Sequence, residues 1–219
     1  MHSMTPIVDP VAETYAAVHT TALPDGLAAV AAEAWSTPQD PEAITRRLDA
    51  RFIELLVFTM GGTSVLDIEP SGGCAAMAMA MAAGLAPGGG VILCEADPAD
   101  AELSQRHLAA SPYADRVEVM VGPTIESIAN LPGPFDLVFL NTNQVDALDC
   151  YEAVLPKLST RGLMVVTQTF WGGRVLDPAD TSVSTQAIRD LNDRVATDPR
   201  AVAVQTTIRD GMTLIRKAG

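Results

Sequence analysis

Asp67, Glu69 and Asp146 are the carboxylates that the pattern of apolar runs and turns brings nearest to the carboxyl ends of strands. A carboxylate placed there can bond to a ligand's hydroxyls or move a proton as acid or base. Cys74 opens a helix, where the dipole lowers a thiol's pKa; the alternative is a buried packing cysteine. Among the histidines, His2 lies in the terminal segment and His107 falls on a helix remote from the strand ends. His19 either reaches a cleft from the N-terminal segment or is a surface histidine. Cys74, Cys94 and Cys150 contain no CxxC pair, which argues against a disulfide framework or a zinc site and fits a reducing cytoplasm. Met77 and Met81 share a helical face and read as core.

The elements that must position these residues are legible in the same chain. Its 219 residues, 48% hydrophobic and 19% charged, suit one globular core with a short extension. The net charge of -13 removes the basic face that nucleic acid or an anionic membrane would need. The N-terminus lacks the basic-then-apolar pattern of a signal peptide, and the longest apolar run, Cys74 to Ala83, is too short to span a membrane. A cytoplasmic protein is expected. Residues 1–60 read as a helical extension and residues 61–219 as an α/β domain.

In the extension, Asp9-Pro10 and Asp40-Pro41 are helix-start signals. The longer helix that Asp40-Pro41 opens carries Ile44, Leu48, Phe52, Leu55, Leu56 and Phe58 at a spacing near 3.6, which predicts one packed face. From Gly62 the chain alternates. Strands are expected at 64–68, 91–94, 117–121, 135–140 and 163–169, with helices at 74–84, 98–110, 124–130, 145–158 and 184–197. The segments 202–208 and 212–216 are expected to pair antiparallel. Alternating strands and helices mean a mostly parallel sheet with right-handed crossovers, whose ligands bind outside the strands' carboxyl ends.

The turns at those ends read VLDIEPSGG, CEAD, VGPTIES, FDLVFLNTNQ and VVTQTFWGGRVLDP. Together with LPGPFDLVFL, WGGRVLDPAD (Trp171 to Asp180) and STQAIRDLN (Ser184 to Asn192), they resemble the cation-dependent O-methyltransferases of the catechol and caffeoyl-CoA type, over residues 50 to 217. The resemblance implies the Rossmann-like class I methyltransferase fold, strand order 3-2-1-4-5-7-6 with the last strand antiparallel and helices on both faces. It also implies S-adenosylmethionine as cofactor, a small-molecule substrate and a homodimer, for which the helix near Phe52 offers an apolar face.

Carried over position by position, the resemblance places the cofactor among Asp67, Glu69, Ser71, Gly73, Glu95, Gly122 and Asn141. The family's turn after the first strand has three spaced glycines; here those positions are Glu69, Ser71 and Gly73. An ionised Glu69 about 4 Å from the cofactor's carboxylate would cost roughly 4 kcal/mol at an effective dielectric near 20, on the order of a thousandfold in affinity. Glu95 keeps the acid that takes the ribose hydroxyls. Pro123, after Gly122, replaces the acid that contacts adenine. The family's metal ligands fall at Asn141, Thr167 and Gln168, all neutral, whereas a divalent cation wants anionic oxygens. The family's lysine base falls at Gln144, which takes no proton at neutral pH. No metal is therefore expected. Glu69, Asn141 and Gln144 are the candidate catalytic positions, and Gln168 and Trp171 the candidate substrate contacts. Trp171 lines the pocket or packs to hold its loop. Two further readings stand beside methyl transfer: a cyclase or pericyclase with Glu69 as acid or base, and a non-catalytic partner subunit.

Overall fold

The computed structural model describes residues 7–34, 41–69 and 75–219, with the backbone alone at 32–34, 41–45 and 69. Each strand is a short apolar run bounded by turn residues. β1 (Ser64–Glu69), β2 (Gly90–Glu95), β3 (Val117–Val121), β4 (Phe135–Leu140) and β5 (Leu158–Thr167) lie parallel. β7 (Met212–Lys217) joins β5 antiparallel, and β6 (Ala201–Thr206) closes the edge antiparallel to β7. The resulting order is β3-β2-β1-β4-β5-β7-β6, as the resemblance implied.

Because side chains alternate across a strand, consecutive residues feed two separate cores. Val65 and Leu137 join the core under α2 (Asp25–Ala34), α3 (Pro41–Met60) and α4 (Ala76–Gly84), built around Leu27, Ile53, Met79 and Met81. Leu66 and Val138 join the opposite core, which α7 (Ala147–Val154) and α8 (Val183–Thr197) cover with Tyr151, Val154, Ile188 and Leu191. The remaining helices are α1 (Pro10–Val18), α5 (Pro98–Ala109) and α6 (Thr124–Asn130). Asp9 acts as its aspartate–proline signal implied, accepting the amide of Val11 at 2.8 Å, and Asp97 before Pro98 likewise accepts that of Ala99 at 2.7 Å; Asp40 lies outside the described residues.

Three expectations need correction. The face of α3 that packs is centred on Ala50, Ile53 and Val57, with Phe52 and Leu56 partly buried against the same core as expected, while Leu55 and Phe58 are 61% and 71% exposed. The reason is a close crossing with α4 at Gly84, where a Cβ would stand 2.4 Å from the carbonyl oxygen of Glu54. α7 stops at Val154 instead of continuing to Leu158, because Pro156 cannot donate the next helical hydrogen bond and the chain tightens into a 3-10 turn. β5 starts at Leu158, which pairs with Phe135 ahead of a register shift. Among the described residues no helix is long and apolar enough to cross a membrane.

Candidate functional site

The carboxyl ends of β1, β2 and β4 lie level, with Glu69 paired to Glu95 in register and Ile68 to Leu140. The turn that follows β1 carries Ser71, Gly73 and Cys74, which lie outside the described residues, as does the side chain of Glu69. Asp67 is fully buried within β1, flanked by Leu93 and Phe139. Glu95 closes β2 and is also fully buried. Ser104 of α5 donates to its Oε1 at 2.8 Å, while Oε2 has no partner among the described residues. Burial raises the Glu95 pKa and the Ser104 bond opposes the shift. Cys94, beside it, is pushed up to about 12 by burial and then by Asp67 and Glu95, so it is an inert thiol. Gly122 follows β3 at φ 154°, donates its amide to the Glu95 carbonyl at 3.1 Å, and leads to Pro123 at the start of α6.

An unpartnered, buried carboxylate oxygen at a strand end is costly unless a ligand's hydroxyl reaches it. These residues fit the ribose diol of a nucleoside cofactor.

The other half of the cleft is neutral. Asn141 follows β4 and is tied to β1 through its amide and Ile68 O at 3.0 Å. Thr167 Oγ1 donates to Asn141 Oδ1 at 3.2 Å, and Gln144 Nε2 donates to Gln168 Oε1 at 3.2 Å. The structure thus brings together all four positions that the sequence singled out across two loops. Their arrangement does not fit a divalent cation, which needs anionic oxygens, because the amide oxygens already accept bonds from neighbours. Among the described residues no three His, Cys, Asp or Glu side chains could hold a metal. The bonds leave Asn141 Nδ2 and Gln168 Nε2 as donors.

Beyond Gln168 the chain folds tightly. Gln168 and Trp171 both take left-handed φ, 57° and 51°. Trp171 is partly buried against the core over α7 and α8, with the Arg174 guanidinium 5.9 Å from its ring centroid. His19 is exposed at the end of α1, its Nδ1 2.8 Å from Tyr15 O and its ring stacked on Tyr15. Asp146 is exposed at the start of α7.

Three contributors escaped the sequence reading. Ser104 holds Glu95; its one signal is a hydroxyl on the buried stripe Ala101, Ser104, Leu108. Arg189 of α8 donates to the carbonyls of Val175, Asp180, Arg174 and Asp177, clasping the loop after β5. Asn192, one turn on, holds Thr169 O at 2.9 Å. Both lie in STQAIRDLN, so a cation at helical spacing from an amide, following a loop of glycines, was the available signal.

Comparison with known proteins agrees with this fold. A profile of the O-methyltransferase family matches residues 22–218. The chain is 31% identical over 192 residues to a catechol O-methyltransferase of Mycobacterium tuberculosis, covering 85% of each chain. It is 27% identical over 184 residues to tricin synthase 1 of Oryza sativa, covering 77% of this chain and 72% of that one. Among solved structures, a cofactor-bound protein from MTB superposes with a TM-score of 0.79 at 27% identity over 95% of this chain and 96% of that chain. An SAH-bound methyltransferase of Podospora anserina has a TM-score of 0.84 over the whole of both chains; at 20% identity it speaks to the fold alone.

Proposed function

Since the chain belongs to the O-methyltransferase family, we propose that it is a divergent S-adenosylmethionine-dependent O-methyltransferase acting on a small molecule without a divalent metal. The observation that carries this reading is the buried Glu95 oxygen with no partner among the described residues. Glu95 would hold the ribose hydroxyls, with Gly122 giving the backbone room alongside. The cofactor, when bound, supplies a methyl group on a sulfonium.

The substrate side follows from the neutral quartet. Asn141, Gln144, Thr167 and Gln168 offer neither a base nor a cation anchor, so the substrate's oxygen has to lose its proton through its own acidity. Donors on Asn141 and Gln168 suit an oxygen that carries negative charge, as in an acidic hydroxyl or a carboxyl group. Holding that oxygen in line is then the protein's contribution.

Calorimetry with S-adenosylmethionine tests the reading: micromolar binding, unchanged by magnesium, is expected. No binding at millimolar cofactor, restored by Glu69→Gly with Pro123→Asp, would favour the second reading, a non-methylating cyclase or a partner subunit. The feature that favours that alternative is Gln144, a group without a titrating proton where the reaction wants a base.

We further propose a cytoplasmic homodimer. Val11, Tyr15 and Val18 on α1 are exposed along one helical face, as are Leu55 and Phe58 on α3. Sedimentation at micromolar concentration checks the pairing, and a monomer there would remove it.

A further inference from the structure

Two left-handed segments meet beside the cleft. One is the Gln168–Gly173 loop, with φ of 57°, 51°, 61° and 77° at Gln168, Trp171, Gly172 and Gly173. The other is the turn between β6 and β7, with Arg209 at 48° and Gly211 at 87°. Non-glycine residues are disfavoured in this region and persist only where neighbours hold them there. The turn supplies that hold. Asp210 accepts the Gly172 amide with both carboxylate oxygens, at 2.7 and 2.9 Å, and its carbonyl accepts the Phe170 amide at 2.9 Å. Gly211 O receives the Thr169 amide at 3.4 Å. The approach is tight, since a Cβ on Gly211 would lie 2.3 Å from the Phe170 ring and 2.6 Å from Thr169 Oγ1. The turn is anchored in its own right, with Arg209 Nε 3.3 Å from Asp49 of α3.

We propose that Asp210 is a positioning residue: from the antiparallel end of the sheet it fixes the left-handed loop that carries Gln168 and Trp171, and so sets the substrate-facing wall of the cleft. The proposal rests on the reading that substrate binds beside β4 and β5. Asp210 touches no reacting atom. It acts through Gly172, the residue after Trp171, so its removal frees the indole without disturbing Glu95 at the far side of β1.

The sequence has two tryptophans, so a Trp35→Phe background leaves Trp171 as the sole indole. In that background Asp210→Ala is expected to raise acrylamide quenching of Trp171 about two- to threefold, as a charge-assisted double contact is lost. Asp210→Asn keeps one acceptor oxygen and is expected to raise quenching by roughly half as much. Affinity for S-adenosylhomocysteine, measured by calorimetry, is expected to stay within about twofold in both, because distant sites without shared partners behave independently. Wild-type quenching in the folded Asp210→Asn protein overturns the proposal. So does a loss of S-adenosylhomocysteine affinity that parallels the quenching, which would assign Asp210 to general stability. If the unaltered protein fails to bind S-adenosylhomocysteine, the cofactor reading fails while the quenching comparison still decides the role of Asp210.

Discussion

At the ends of β2 and β3 the cleft presents a buried carboxylate with one oxygen unpartnered among the described residues, while at the ends of β4 and β5 it presents amides and a hydroxyl bonded to each other. Desolvating a carboxylate oxygen without a partner costs free energy, which a ligand's hydroxyl reaching that oxygen would return. In the second half the oxygens of Asn141 and Gln168 are engaged by neighbouring side chains, and the loop after β5 is braced from behind by the turn at Asp210 and by Arg189. The difference teaches that one sheet can hold a buried acid open to a ligand at one side of a cleft and a set of neutral, mutually bonded groups at the other. Each side can be broken on its own.

The largest effect is expected where the bracing turn meets α3. Burial raises the Asp49 pKa from its ordinary value to about 7, against the pull of Arg209 and Arg46 and with a small push from Glu13. A carboxyl whose folded pKa lies above its unfolded one holds its proton longer in the folded state. Its contribution to stability is fully present below pH 3.8, is lost as pH rises to about 7, and is level above that. The loss is at most about 4 kcal/mol across that window, at 1.36 kcal/mol per pH unit. Asp49→Asn removes the slope. Chemical denaturation of both proteins from pH 4.5 to 8 is expected to give curves that diverge up to about pH 7 and run parallel above it, and curves parallel throughout would detach Asp49 from this account.

Next in size is Gly211→Ala. The added methyl meets the Phe170 ring and Thr169 Oγ1, and the backbone sits at φ 87°. A loss of about 3 kcal/mol is expected, from strain and overpacking together. Gly88→Ala is the control, since φ there is 80° but nothing lies within 4 Å of the new Cβ. It is expected to cost about 1 kcal/mol. Equal melting temperatures for the two variants would show that the contact with the β5 loop contributes nothing.

The two halves also differed in how far they could be read in the sequence. The alternation of capped helices with apolar runs made a mostly parallel sheet legible, while its strand order and the position of Glu95 at the end of β2 came from the resemblance. The pairing of Asn141 with Thr167 and of Gln144 with Gln168 spans 26 and 24 residues, so only the resemblance put these side chains side by side. Asp210 reaches Gly172 across 38 residues, and no periodicity encodes a contact between two irregular turns. The face of α3 misled for a related reason. Leu55 and Phe58 fit an apolar spacing, but the crossing at Gly84 rotates Ile53 and Val57 inward instead.

On the cofactor side, Glu95→Gln leaves the Ser104 contact possible and removes the charge that strengthens bonds from ligand hydroxyls. Such bonds contribute about 1.5–3 kcal/mol, so S-adenosylhomocysteine is expected to bind about 10- to 100-fold more weakly. Calorimetry reads this directly. An unchanged affinity would mean that the unused oxygen faces no ribose, and the contrast between the halves would lose its charged member.

The smallest effect tests the neutral half by undoing it. Asn141→Asp with Thr167→Asp replaces a donor–acceptor pair 3.2 Å apart with two carboxylates beside the Gln168 oxygen, the set a hard divalent cation prefers. The two charges repel one another until a cation sits between them, so the variant is expected to melt lower than the parent without magnesium and to recover when magnesium is added. A magnesium concentration ten times the dissociation constant stabilises by about 1.4 kcal/mol, which is roughly 3–6 °C for a chain of this size. The unaltered protein, whose amide oxygens are already engaged, is expected to shift by less than about 1 °C at the same magnesium concentration, since no differential binding means no linkage. A clear magnesium-dependent rise in the melting temperature of the unaltered protein would place a cation among Asn141, Thr167 and Gln168 after all, and the acceptor half would then need a ligand as much as Glu95 does.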